Sequence, residues 1–459
     1  MNKIKLTTIQ LFVVAFLLCG FMTIQISAAP GDLDPSFGSG GIVLPLNLYA
    51  YAIAIQPDGK IVAAGEIGNT FAVARYNADG TPDSTFGSGG RVITAFGSGG
   101  SIATAIAIQS DGKIVAAGAN YYGFYEDDPP PNYDFFLARY NTDGSLDSTF
   151  GTGGKVTTTF SSANIGASDL AIQPDGKIVV VSSSAGFLLV RYNINGSLDN
   201  SFGTGGMVST NFGNNDFAYA VAFQSDGKIV AAGSDNNSLT SNFALARYNT
   251  DGSLDASFGT SGKVITPSGS AYDIAIQSDG KIVAVGYSST GTSLGFALVR
   301  YNTDGSLDST FGAGGKVITT FSNGIGFVKN RVTIQSDGKI VVVGSSNGDN
   351  GTISGFTLVK YNADGSLDST FGSGGKVITR IGELYNYATA AAIQSDGKIV
   401  VVVGIATSNS GVRSVMIRYL NPQLGLLLPE ATTVMRLASP AIALCAKPSM
   451  RQTLRRPTT

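Results

Sequence analysis

Carboxylates, and a cation set eight residues before one of them, are the groups in this chain whose types and spacing could do chemistry. The segment Asn141-Thr-Asp143-Gly-Ser-Leu-Asp147 places oxygen-bearing side chains at what would be the third, fifth and ninth positions of a calcium loop. A hard cation of that kind asks for roughly six to eight oxygens. The first position, however, is Arg139, and its equivalent is basic in every copy: Arg75, Arg191, Arg247, Arg300, Lys360 and Arg418. A fixed cation there opposes calcium, and Pro82 and Asn195 weaken two further copies. No cofactor is therefore expected, and the segment reads as a turn whose Asp or Asn bonds its own backbone. The basic residue is expected to pair with the Asp eight positions on, as Arg139 with Asp147 and Arg300 with Asp308, stapling adjacent sheets.

Catalysis has little to work with. The chain contains no histidine, which removes a Ser-His-Asp triad and any His-bearing metal site. Paired carboxylates can hydrolyse glycosidic bonds, but the aspartates mostly recur at equivalent turn positions, and a reaction centre needs an asymmetric cluster. The clearest series is Asp58, Asp111, Asp175, Asp226, Asp279, Asp337 and Asp396, one in each copy of Gln-x-Asp-Gly-Lys-Ile-Val. These are expected to be structural turns. The Phe-Gly-x-Gly-Gly segments lack the lysine and helix of a phosphate-binding loop. The chain is thus not expected to be an enzyme.

One loop differs from its counterparts. Residues 121–133 bring together Tyr121, Tyr122, Phe124, Tyr125, Glu126, Asp127, Asp128 and Tyr133, with Pro129 to Pro131 holding the segment extended. Aromatic rings beside carboxylates stack on sugars or attract cationic ligands, so these eight residues are the candidate ligand-binding set.

The elements that must position such a loop follow from the repeat. Copies of the Asp-Gly motif are spaced 51 to 64 residues apart, and a Phe-Gly marker recurs in step at Phe37, Phe86, Phe150, Phe202, Phe258, Phe311 and Phe371. In the second copy, four short apolar runs (91–96, 102–108, 113–117 and 135–140) are separated by turn residues, and an Asp-Gly pair between such runs is a strong hairpin signal. No helical periodicity interrupts them. Seven four-stranded antiparallel sheets that bury their faces against one another predict an all-β, seven-bladed propeller. A β-solenoid is the alternative, but its coils are shorter and it needs caps. The Gln-to-Lys turn and the ten-residue Tyr-to-Phe connection keep constant length, whereas the other two connections vary. The variable loops share one face, which is the expected binding face. Whether each blade is complete in chain order or the two ends share a closing blade is left open by the pattern.

Residues 1–29 read as a secretory signal: Lys3 and Lys5, an apolar stretch from Leu11 to Met22, then Ser27-Ala28-Ala29. Once they are removed, no membrane span is expected, and Cys445 is left without a partner for a disulfide. The propeller is placed at 30–422, where 23 basic and 31 acidic side chains give a net charge of −8. That disfavours nucleic acid as a partner. Residues 423–459 drop the repeat and are expected to be disordered.

The alternation of Leu-Asp-Ser-Thr-Phe-Gly-x-Gly-Gly-Lys-Val, Ala-Ile-Gln-Ser-Asp-Gly-Lys-Ile-Val and Phe-x-Leu-x-Arg-Tyr-Asn-x-Asp-Gly resembles the delta-60 repeat of exported bacterial β-propellers, over about residues 33–420. The resemblance implies the architecture and an extracellular, cell-surface or periplasmic setting. It implies no activity and no catalytic residues. The sequence is thus expected to encode an exported, monomeric binding scaffold for a macromolecule or glycan. A carboxylate-dependent polysaccharide-active enzyme and a purely structural envelope module are the alternatives.

Overall fold

The computed structural model describes residues 29–421, apart from 45, 47, 98, 122–132, 161–165, 185, 214, 238–239, 268, 291–292, 322–330, 347–354, 383–385 and 408–410. The expected signal, up to residue 28, and the stretch 423–459 lie outside the described residues.

Short apolar runs and Asp-Gly turns produce strands here for a local reason. At Gly112 φ is +82°, a left-handed value that glycine adopts cheaply. Asp111 Oδ1 accepts the Lys113 N–H at 3.1 Å and locks the reversal. The same bond recurs at Asp58, Asp175, Asp226, Asp279, Asp337 and Asp396. All seven aspartates are exposed and bond within their turns.

The first strand, β1 (Ile42–Val43), precedes six blades that are complete in chain order. Blade 1 is β2 (Tyr49–Ile55), β3 (Ile61–Ile67), β4 (Thr70–Tyr76) and β5 (Arg91–Ile93); blade 2 is β6 (Gly100–Ile108), β7 (Ile114–Tyr121), β8 (Tyr133–Tyr140) and β9 (Lys155–Phe160). Blade 3 is β10 (Ala167–Ile172), β11 (Ile178–Ser184), β12 (Gly186–Tyr192) and β13 (Met207–Thr210); blade 4 is β14 (Asn215–Phe223), β15 (Ile229–Asn237), β16 (Thr240–Tyr248) and β17 (Lys263–Pro267). Blade 5 is β18 (Ser270–Ile276), β19 (Ile282–Thr290), β20 (Ser293–Tyr301) and β21 (Lys316–Thr320); blade 6 is β22 (Arg331–Ile334), β23 (Ile340–Ser346), β24 (Gly355–Tyr361) and β25 (Lys376–Thr379). Blade 7 takes β26 (Asn386–Ile393), β27 (Ile399–Thr407) and β28 (Gly411–Tyr419) from the C-terminal part and completes itself with β1. The protein is a seven-bladed β-propeller of four-stranded antiparallel blades. Its inner strands β2, β6, β10, β14, β18, β22 and β26 are neighbours in turn around one axis.

The sequence pattern misplaces one strand. The run beginning at Arg91 reads as the start of a unit, yet it pairs back onto β4 (Ala74↔Arg91, Ala72↔Ile93) and forms the outer edge of the preceding blade. The reason is the ten-residue connection. Asp83 N bonds Arg75 O and Arg75 N bonds Gly90 O, so the chain reverses without leaving the sheet and meets only the open edge of β4. The constant turns still share one face and the variable loops the other.

Packing between blades is repetitive. The phenylalanines of the Phe-Gly turns, Phe37 through Phe371, are fully buried, each contributing roughly 2 kcal/mol. The tyrosine that ends the third strand of a blade sends its buried hydroxyl to a threonine of the blade before, as Tyr140 to Thr94 at 2.6 Å, Tyr192 to Thr158 at 2.8 Å and Tyr419 to Thr379 at 2.7 Å.

Ring closure mixes the two ends. Ile42 and Val43 pair with Ile417 and Met416, and Gly31 N bonds Leu420 O at 2.7 Å. Pro30-Gly-Asp-Leu-Asp34 stands in for the Asp-Gly-Ser-Leu-Asp of an ordinary unit: Gly31 has φ +95° and Gly144 has φ +87°. Pro30 O accepts the Gly372 N–H, as Asp143 O accepts that of Gly87. The closing turn is therefore split between the chain ends. Deleting residues 30–44 should leave blade 7 with an open edge and abolish the single cooperative urea transition, followed by far-UV circular dichroism. An unchanged midpoint would show that closure does not depend on the N-terminal strand.

Candidate functional site

On the constant-turn face one cluster recurs around the ring, built on an arginine in six blades and on Lys360 in the other. Arg139, on β8, directs Nε to Asp147 Oδ2 at 2.8 Å, Nη2 to Thr149 at 3.1 Å and Nη1 to the Ile194 carbonyl of blade 3. Its guanidinium lies 4.6 Å from the centre of the Phe150 ring, and Lys113 adds a second cation 3.0 Å from Asp147. The expected Arg–Asp pair thus lies within one blade, and the neighbouring blade is reached through the remaining guanidinium nitrogen. Arg75, Arg191, Arg247, Arg300 and Arg418 do the same with Asp83, Asp199, Asp255, Asp308 and Asp34. Burial pushes the Asp147 carboxyl up, but bonds from Thr149 and Lys113 and the charge of Arg139 outweigh it and hold it well below the usual range. At Asp34 the same opposition, with Ser36, Lys398 and Arg418 prevailing over burial, settles at about 2. The residues that resembled calcium ligands are therefore occupied: Asp143 bonds Ser145, and Asp147 serves Arg139 and Lys113. The clefts between neighbouring constant turns, such as that lined by Gln277, Lys281, Arg300 and Gln335, are seams of this scaffold.

The axis breaks the repetition. The residue of each inner strand that pairs with the fourth residue of the second strand is Ala52, Ala105, Asp169, Ala220, Asp273, Arg331 or Ala390 in blade order. Three of these alanine positions have become charged. Asp169 accepts Leu170 N at 2.9 Å and, across the blade boundary, Val221 N at 3.0 Å. Asp273 likewise accepts Ile274 N and Val332 N, both at 2.9 Å, and Arg331 Nε donates to Thr389 O at 3.2 Å. These side chains satisfy backbone groups on the unpaired inner edge of the next blade. Thr104 to Ala167 O and Thr389 to Ala50 O do so elsewhere in the ring. Burial, then the nearby Asp273 charge, push Asp169 up to about 7 despite the opposing pull of Arg331 and the two N–H groups. Asp273 is also raised, by burial, against Arg331 and its own N–H donors.

Half-buried tyrosines stand above this charged level, toward the variable-loop end. On blades 4 and 5, Tyr219 and Tyr272 have ring centres 5.2 Å apart and Tyr272 and Tyr287 5.8 Å, with Phe217 6.3 Å from Tyr219. On blades 1 and 7, Tyr49 and Tyr51 lie edge to face at 4.7 Å, and the Tyr49 and Tyr387 hydroxyls bond each other. Tyr51 donates to Glu66 Oε1 at 3.2 Å; Oε2 is buried and meets no donor among the described residues, and burial raises the Glu66 carboxyl.

Of the eight residues singled out in the long loop, Tyr121 closes β7 and pairs with Gly100, while Tyr133 opens β8 and pairs with Phe160. Tyr122, Phe124, Tyr125, Glu126, Asp127 and Asp128 lie outside the described residues. The axial set escaped the sequence reading because its positions fall in strands that read as apolar. Their signal was the loss of alanine in three of seven copies. Asp216 and Asp235, paired across β14 and β15, form another carboxylate couple. Both are buried, and Asp216 caps the Phe212 N–H at 2.6 Å, as Asn386 caps Ile381 in blade 7.

A family model described as a domain-of-unknown-function β-propeller, DUF5122, matches residues 56–86, 109–150, 173–202, 224–258, 277–311, 335–371 and 394–421. A WD-domain G-beta repeat model matches residues 206–240. No curated protein matches. Similar solved structures include a protein from Lactobacillus plantarum (14% identity, 77% of this chain and 90% of that one, TM-score 0.45). A protein of unknown function from Dyadobacter fermentans gives 12%, 86%, 97% and 0.39, and Sqt1 from Chaetomium thermophilum 11%, 81%, 96% and 0.41. Likenesses at these scores carry no argument about function.

Two outcomes follow from this electrostatic layout. Arg300→Met leaves Asp308 and the Ala363 carbonyl without their buried partner and should cost about 3 kcal/mol in urea unfolding; a variant as stable as the parent would remove the staple from the account. The staple aspartates release protons more readily when folded, so stability should fall as the pH drops below about 4. Asp169 holds its proton more tightly when folded, so stability should also fall as the pH rises from about 4 to about 7. Urea midpoints should peak between about pH 4 and about pH 5, and Asp169→Asn should flatten the limb above that peak.

Proposed function

As the chain belongs to the DUF5122 β-propeller family, whose domains carry no known function, we propose from the site itself that it is a non-catalytic binding scaffold. On this reading it takes a glycan or another macromolecule at the variable-loop mouth of the axial channel. One observation carries the reading: the constant-turn face repeats the same bonds in six blades and keeps the cation–Asp pair through Lys360 in the other, whereas further departures from the repeat gather around the axis as Asp169, Asp273, Arg331 and the tyrosines. Binding on propellers is placed by variable loops held on a rigid scaffold, and β7 ends and β8 begins at this same face.

Against an enzyme stands the use of the carboxylates. Asp169 and Asp273 each hold two backbone N–H groups, and Asp216 is buried as a turn cap. The repeat is of the delta-60 kind, and the chain works as an exported monomer without a cofactor at the cell surface, in the periplasm or outside the cell.

A panel of glycans and surface polymers, screened against the chain from residue 30 onward, tests this. Tyr272→Ala and deletion of 122–132 should each weaken the best ligand at least fivefold while leaving the unfolding free energy within about 1 kcal/mol of the parent. Binding that ignores both changes would place the site elsewhere, and turnover of a bound polysaccharide would replace a scaffold with an enzyme.

A further inference from the structure

The mouth has a chemical bias that narrows its ligand, given the reading above that ligand binds there. Among the described residues that line it, three carboxylates, Asp169, Asp273 and Glu66, share it with one guanidinium, Arg331. The six repeat-borne arginines of the staples are spent at the opposite, constant-turn end. The carboxylates retain acceptor capacity. Asp169 and Asp273 have each used two of about four lone-pair sites, and Glu66 Oε2 is buried without a donor among the described residues. Asp169 and Asp273 also repel each other, a strain that a cation placed between them relieves.

Shape adds a second restriction. Blades 4 and 5 lie on the far side of a seven-membered ring from blades 7 and 1. The Tyr219–Tyr272 pair and the Tyr49–Tyr51 pair therefore flank the axis from opposed sides, with the charged level below them. Tyrosine faces carry negative potential and stack on flat apolar surfaces or attract cations. A ligand suited to both features is elongated, offers ring faces at two separated points and carries positive charge between them.

We infer that the mouth binds a polysaccharide bearing free amines, with sugar faces on the two tyrosine groups and ammonium groups toward Glu66, Asp169 and Asp273. The net charge of −8 over residues 30–422 favours approach of such a polymer. A basic peptide supplies the charge but not the paired ring faces, and a neutral glycan supplies the faces but not the charge.

Isothermal titration with the chain from residue 30 onward separates these. The probes are a glucosamine hexamer, its fully N-acetylated counterpart and hexalysine, at about pH 6, where the sugar amines are charged. The glucosamine hexamer should bind at least tenfold tighter than either, its advantage should shrink with added salt, and Glu66→Gln should weaken it about fivefold. Since Asp169 is still protonated at that pH, its binding should release protons, seen as heats that change with the ionisation enthalpy of the buffer. Equal affinity for the acetylated hexamer, or tighter hexalysine binding, would overturn the amine assignment. If acetylated binding were then lost in Tyr272→Ala, the mouth would stand as the site. Binding of all three probes unaffected by Glu66→Gln and Tyr272→Ala would overturn both readings, as would no binding at all.

Discussion

A guanidinium buried at a blade junction has five donors to satisfy, and the geometry that satisfies them sets how one blade sits on the next. Two of its directions are fixed within its own blade by Asp and by Ser or Thr, and its central carbon lies over the Phe ring of the following turn. The third can be met only by a carbonyl of the next blade, in the turn that follows that blade's third strand. A junction opened or rotated slightly would leave a buried charge unsatisfied, which costs far more than the pair is worth when made. Repeating the same demand at six of the seven junctions makes the blade-to-blade rotation uniform, and uniform rotation is what allows the ring to close. Lys360 illustrates the constraint by departing from it. An ammonium cannot fork, so Lys360 reaches Asp368 at 3.4 Å and takes the Asn421 side chain at 2.6 Å. Asn421 occupies the position where other blades offer a backbone carbonyl, and its amide donates on to Gly397 O at 2.9 Å.

Closure then depends on the chain ends meeting as one turn. Asp34 receives Arg418 and Lys398 across the gap, so the N-terminal segment contributes the carboxylate of the seventh staple as well as the outer strand. A seventh blade that stopped at its third strand would leave the edge of β28 unpaired, a liability for any sheet protein. Here the split unit covers that edge with the chain's own start.

Much of this was legible in the residues. The number of blades, the four strands, the exposed turn aspartates and the division into constant and variable faces follow from spacing alone. The phase of the repeat did not, because a β-branched run after Gly-Gly looks the same whether it opens a sheet or turns back onto one. Only the bonds around Arg75, Asp83 and Gly90 decide that. The axial residues were hidden for a different reason. Asp169-Leu-Ala-Ile and Asp273-Ile-Ala-Ile read as strand with one polar residue, and nothing in the pattern says which strand position faces the axis. Register supplies that, by aligning Asp169, Asp273 and Arg331 with Ala52, Ala105, Ala220 and Ala390.

Alanine at that register explains how a charged site can arise without unsettling the ring. A residue there carries little of the interblade packing: Ala105, Ala220 and Ala390 add only a methyl group to cores whose bulk is the buried Phe, Tyr and Val side chains farther from the axis, and it carries none of the staple, which belongs to the opposite face. It needs only to leave the inner edge of the next blade satisfied. Asp169 and Asp273 meet that need by accepting from Val221 and Val332, and Arg331 by donating to Thr389. Polarity at the axis is thereby stabilised by backbone groups that any blade presents. The scaffold fixes seven equivalent positions, and chemistry can vary at each of them independently. The cost is electrostatic: two carboxylates held near one another in a poorly solvated channel, only partly offset by one guanidinium. Their raised carboxyls set the axis apart from the repeated staple aspartates, whose carboxyls are held low.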